Sequence, residues 1–108
     1  MNKYRNIKVT VDGIRFDSKK ESMRYCDLKF LEKLGEIQNL ELQPSFEICP
    51  SVVWNGKTLR KRVYRADFKY KKNDKWIVED VKGFRTQLFL LKRSLFLTQY
   101  PEYIFKES

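Results

Sequence analysis

A chain of 108 residues fits one domain, and with 42% hydrophobic and 15% aromatic residues it has enough apolar surface to close a core, which excludes a disordered segment. Lys and Arg number 23 against 14 Asp and Glu, a net charge of +9, so the expected partner is a polyanion, nucleic acid ahead of an anionic membrane surface. Histidine is absent, which removes every site built on imidazole: Ser-His-Asp triads, Cys-His nucleophiles, HNH-type nucleases and His-ligated zinc.

The chain opens with two short alternating runs, Lys8 to Val11 and Ile14 to Phe16, around Asp12-Gly13, a pair that tolerates positive φ and predicts a tight hairpin. A helix follows over 18–34, with Ser18 or Asp17 as cap, Tyr25, Leu28, Leu31 and Leu34 on one face, and Gly35 as the stop. Ile37 to Leu42 alternates weakly before Gln43-Pro44. Phe46 to Trp54 is extended, Asn55-Gly56 turns it, and the return strand runs from about Arg60 to Tyr70. A third turn at Lys71 to Asp74 leads to a strand from Trp76 to Lys82, ended by Gly83. From Thr86 the segment QLFLLKRSLFLTQ is apolar nearly all round and predicts a mostly buried helix, stopped by Pro101 before a last strand from Glu102 to Phe105. The order of hairpin, α, β, β, β, α, β gives an α/β (α+β) fold, a mixed sheet flanked by helices.

The N-terminus has no apolar leader and no run approaches the length of a membrane span, so the expectation is a soluble cytoplasmic protein with no membrane partner. Cys26 and Cys49, without CxxC spacing, read as two buried thiols in a reducing compartment.

Chemistry concentrates in RVYRADFKYKKNDKWIVEDVKG. A turn centred between Asn73 and Asp74 places Asp67 opposite Asp80 and Arg65 opposite Lys82. The strand period of two puts Asp80 and Lys82 on one face, with Glu79 and Val81 on the other. Opposed carboxylates repel, so a cation is expected between them, and a divalent ion with hard oxygen ligands suits the pair. The alternative is a ladder in which Asp67, Asp80, Lys82 and Arg65 neutralise one another.

The spacing from Asp67 to Asp80-Val81-Lys82 within that element order resembles the PD-(D/E)XK nuclease superfamily. Over its whole length, notably VTVDGIRFDSKKES, LELQPSFE, YRADFKY and VEDVKGF, the chain also resembles small phage and prophage endonuclease-like proteins assigned to that superfamily. Ala66 stands where the superfamily name puts proline. The resemblance implies a restriction-endonuclease-like αβββαβ core over 18–106 with an added N-terminal hairpin over 1–17, together one nuclease domain over 1–108. It implies Asp67, Asp80 and Glu21 as ligands of Mg²⁺, with Mn²⁺ as an alternative, and Lys82 as the group that orients or activates the attacking water. Glu21 also completes Ser18-Lys-Lys-Glu21, a capping box.

The expected function is thus a metal-dependent DNA endonuclease of a phage or prophage, with branched or recombining DNA as a candidate substrate and a homodimer as a candidate assembly. Lys57, Arg60, Arg62 and Arg65 around the second hairpin, and Lys19, Lys20 and Arg24 on the helix bearing Glu21, are the expected DNA contacts. Trp54 is placed to stack on a base or to pack as a half-buried strand aromatic. A noncatalytic nucleic-acid-binding module that keeps its carboxylates as structural ion pairs is the competing reading.

Overall fold

A computed structural model of the chain describes residues 8–81 and 84–108. Lys82, the Gly83 stop and the bases ahead of Lys8 lie outside the described residues. The Asp12-Gly13 pair, at φ 53° and 75°, joins β1 (Val9–Val11) to β2 (Ile14–Phe16). Helix α1 (Lys19–Lys33) starts at Ser18, whose Oγ accepts from the Glu21 N–H at 3.1 Å, and ends before Gly35 at φ 82°. Tyr25 and Leu28 are buried as their spacing predicts, but Leu34 is exposed: it is the cap residue, where the helical stripe has already ended. The chain then enters β3 (Gln38–Leu42).

The two long extended runs of the sequence become five short strands, β4 (Ser45–Cys49), β5 (Val52–Trp54), β6 (Lys57–Leu59), β7 (Arg62–Arg65) and β8 (Phe68–Lys72). Pro50, which cannot donate to a ladder, interrupts the outgoing run, and a bend at Asp67 interrupts the return. β4 pairs with β7 and β5 with β6, forming two separate two-stranded ribbons. Asn73 and Asp74, both at positive φ, then turn β8 into β9 (Lys75–Asp80), with Lys72 opposite Lys75 and Phe68 opposite Glu79, the register read from the turn. Helix α2 (Gln87–Gln99) carries the chain over to β10 (Ile104–Glu107), which runs parallel to β9. The resulting mixed sheet has the order β10-β9-β8-β3.

Alternation along β8 and β9 feeds two cores. Phe68 and Tyr70 pack with Phe16, Tyr25, Leu28 and Ile37 beneath α1 and the first hairpin, while Val78 joins Phe46, Ile48, Tyr64, Phe89 and Phe96 beneath α2. The sequence expectation of a mostly buried α2 is corrected here. Phe89 and Phe96 are its buried residues, and Leu88, Leu91 and Leu97 are exposed, because α2 lies on β4 and β7 by one face. The thiols are corrected too: Cys26, on the outer side of α1, and Cys49, at the end of β4, are free and exposed. No helix among the described residues is long and apolar enough to cross a membrane.

Candidate functional site

The Asn73-Asp74 turn sets the register, and the register brings two acids together. Asp67 stands where the chain leaves the central sheet: its N–H still donates to the Glu79 carbonyl at 3.2 Å, whereas the Ala66 N–H already donates to Pro44 at 3.1 Å. That change of partner makes the bend and leaves the Asp67 side chain at the strand end, where Oδ2 accepts the Val81 N–H at 2.7 Å. Asp80, the last residue of β9, is wholly buried. Its Oδ2 accepts from the Tyr64 hydroxyl, and its carboxyl lies close enough to Asp67 to act on it electrostatically.

Two carboxyls brought this close disfavour each other's ionisation. Burial and then the Asp80 carboxyl push the Asp67 carboxyl up to about 8, against the opposing pull of the Val81 N–H. Glu21 adds to the rise, since its buried carboxylate on the first turn of α1 is near enough for its charge to act on Asp67. Burial and Asp80 also push the Tyr64 phenol up, so its hydroxyl is kept as a donor.

One residue back along β9, Glu79 points to the opposite face, as the strand period requires, and it is equally buried. Arg24 grips it with a fork, Nε to Oε2 at 2.5 Å and Nη2 to Oε1 at 3.0 Å. The Tyr70 hydroxyl and the Ser108 hydroxyl each donate to it at 2.6 Å. Burial alone raises a carboxyl, but Arg24, Ser108 and Tyr70 together outweigh it and hold Glu79 below its ordinary value.

Of the residues singled out from sequence, Asp67 and Asp80 are brought together, Glu21 is near enough for its charge to act on Asp67, and Lys82 lies outside the described residues. Arg65 is not in the Asp67–Asp80 ladder: the bend at Asp67 turns it into β7, opposite Ser45, which corrects its expected place opposite Lys82. Lys19, Lys20, Lys57, Arg60, Arg62 and Arg65 are exposed, while Arg24 is turned inward onto Glu79 rather than out to solvent. Trp54 is 60% exposed, not half-buried.

Sequence reasoning missed Tyr64, Tyr70 and Ser108. Each meets its acid only through the folded sheet, and nothing local marks it. It also missed Lys92, which with Arg65 borders an open cleft of about 370 Å³ whose wall includes Tyr64, Leu88 and Phe89. The cleft therefore shares with Asp80 the tyrosine that holds it.

The donor set fits a hard divalent cation in kind, since Asp67, Asp80 and Glu21 offer only carboxylate oxygens. The raised Asp67 carboxyl marks a place where added negative charge is disfavoured. The site is not a closed cage: among the described residues no three His, Cys, Asp or Glu side chains are grouped to hold a metal ion. Mg²⁺ commonly binds through one or two carboxylates together with waters and substrate phosphate oxygens.

The chain belongs to the family described as Protein of unknown function (DUF1064), whose family model matches residues 1–107. A search of the curated proteins finds no match.

Proposed function

We propose that this chain is a metal-dependent DNA endonuclease whose site is the Asp67–Asp80 pair at the end of β8 and β9, flanked by Glu21. The observation that carries the reading is that a buried Asp80 and a half-buried Asp67 meet at a strand end, and that the tyrosine holding Asp80 also lines a cleft bordered by Arg65 and Lys92. Tyr64 donates to Asp80 and the Val81 N–H to Asp67, so each acid of the pair is held by a neutral donor. The order α1, β3, β8, β9, α2, β10, with three antiparallel strands and a fourth parallel to the third, supports the restriction-endonuclease-like core implied by the sequence resemblance.

In this reading Asp67, Asp80 and Glu21 hold Mg²⁺ or Mn²⁺. When bound, the ion supplies Lewis-acid polarisation of the phosphoryl oxygen and a more acidic water. Tyr64 fixes the Asp80 carboxyl by donating to it, and the Val81 N–H fixes that of Asp67. Both acids are therefore oriented before substrate arrives, at no reorganisation cost in the reaction. Lys82, two residues beyond Asp80, orients the attacking water. Arg65 and Lys92 hold the DNA phosphates at the cleft.

The test is cleavage of linear, nicked, flapped and four-way DNA with Mg²⁺, Mn²⁺ or EDTA, together with the melting temperature against Mg²⁺. Wild type is expected to cut only with metal and to melt higher as Mg²⁺ is added. Asp80→Asn should lose both effects and Lys82→Ala only the cutting. Cleavage by both variants at the wild-type rate overturns the site. Specific DNA binding with no cleavage under any metal gives the function to the noncatalytic module, which the absence of a three-acid cluster among the described residues favours.

A further inference from the structure

We propose that the β5–β6 ribbon is the arm with which the protein engages DNA carrying unstacked bases, Trp54 being the side chain that stacks on an uncovered base. The inference rests on the DNA reading above and adds to it the class of substrate.

In the β5–β6 register Val52 opposes Leu59 and Trp54 opposes Lys57, so these four side chains share one face of the ribbon, with Val53 and Thr58 on the other. Val52, Val53, Trp54 and Leu59 are all exposed, Trp54 at the turn made by Asn55 and Gly56, both at positive φ. A lone two-stranded hairpin is only marginally stable in water, and apolar side chains on one do nothing for the core. Their place on an arm points to a partner.

Charge identifies that partner. From Ile48 to Ala66 there is no acidic residue, and the segment carries Lys57, Arg60, Lys61, Arg62 and Arg65. Lys61 lies 3.9 Å from Glu47 at the root of the arm. The remaining bases suit a polyanion and oppose the approach of a second copy of the same arm.

The ribbon's width matches the major groove, where phosphate contacts from Arg60 and Arg62 position it without reading bases. Trp54 adds a different contact. Aromatic stacking tolerates any base but needs a free π-face, and an intact duplex covers those faces with neighbouring pairs. The side chain therefore gains only where bases are unstacked, as at a bulge, gap, flap or junction. Lys57 beside it on the same face is placed for the adjoining phosphate.

The experiment is fluorescence anisotropy of labelled DNA in EDTA, so that no cleavage occurs, comparing an intact duplex with the same duplex bearing a short unpaired bulge. Wild type should bind the bulged DNA about tenfold more tightly. Trp54→Ala should abolish that preference while leaving duplex affinity and melting temperature unchanged, and Trp54→Phe should keep most of it. Equal affinity of wild type for the two DNAs, or an undiminished preference in Trp54→Ala, overturns the proposal. So does a change of Trp54→Ala from dimer to monomer in sedimentation with the DNA preference intact, which makes the ribbon a protein contact. Binding here requires no metal. A Trp54-dependent preference in a protein that never cuts therefore defeats the nuclease reading alone, and metal-dependent cutting with no effect of Trp54→Ala defeats the ribbon alone.

Discussion

Glu79 and Asp80 are neighbours on one strand, both wholly buried, and the protein treats them in opposite ways. Glu79 receives four hydrogen bonds from three residues, one of them an arginine, and is held ionised. Asp80 receives a tyrosine hydroxyl and lies against a second carboxyl, that of Asp67, whose ionisation it disfavours. Burial of an acid is thus no sign of function. The informative quantity is what surrounds it: Arg24 ties the Glu79 carboxylate of β9 to α1, whereas Asp80 sits against a second acid, the arrangement proposed here to hold a cation.

The sharpest way to break this contrast is to remove the arginine. Arg24→Met leaves Glu79 buried without its counter-charge, and the protein is expected to lose about 3–5 kcal/mol in urea unfolding. A loss under about 1 kcal/mol would mean that Tyr70 and Ser108 suffice to hold Glu79.

Asp80→Asn is expected to do the reverse. Stability in the absence of metal should hold or rise, since a buried charge that disfavours ionisation of Asp67 is removed, while Mg²⁺-dependent cleavage falls at least about 100-fold, as expected for the loss of a metal ligand. Unfolding of this variant in metal-free buffer would show that the pair is structural.

A subtler separation comes from pH in metal-free buffer. Folded Asp67 keeps its proton up to about 8 against 3.8 for the free group, so between those values the native state binds more protons than the unfolded chain. Its contribution is complete below about 4 and is lost as pH rises through about 8. Glu79 has the opposite sign: its lowered value contributes stability above 4.5 that is lost as pH falls below it. Melting temperature against pH should therefore fall on both sides, with the alkaline limb flattened in Asp67→Asn and the acid limb flattened in Glu79→Gln. An unchanged alkaline limb in Asp67→Asn would assign it elsewhere.

The smallest expected effect concerns Glu21, whose backbone belongs to the helix cap while its charge acts on Asp67. Ser18→Ala should cost about 1 kcal/mol of stability and leave cleavage nearly intact. Glu21→Gln should do the converse, and if it lowers stability alone, the cap is all that Glu21 serves.

Much of the fold is legible in short-range signals. Asp12-Gly13, Asn55-Gly56 and Asn73-Asp74 each adopt the positive φ their residue types allow, and the last of these sets a register that carries Asp67 to Asp80. Ser18 and Gly35 bound α1 within a residue of the reading from sequence. Two of the three ligands proposed for the metal follow from that turn and the strand period. Arg24 illustrates the limit. On a helical wheel it is one more basic residue beside Lys20, and only the crossing of α1 over β9 turns it onto Glu79.

The sequence by itself therefore determined where the chain turns, which strand residues share a face and that two aspartates meet, because backbone preference and a period of two act over a few residues. Tertiary structure decided which face of α2 is covered, that the long return strand divides at Asp67, that Trp54 stands in solvent and that Arg24 reaches the buried Glu79. Each of those depends on how far another element reaches, and burial and charge compensation are properties of the assembled neighbours rather than of the segment that carries the residue.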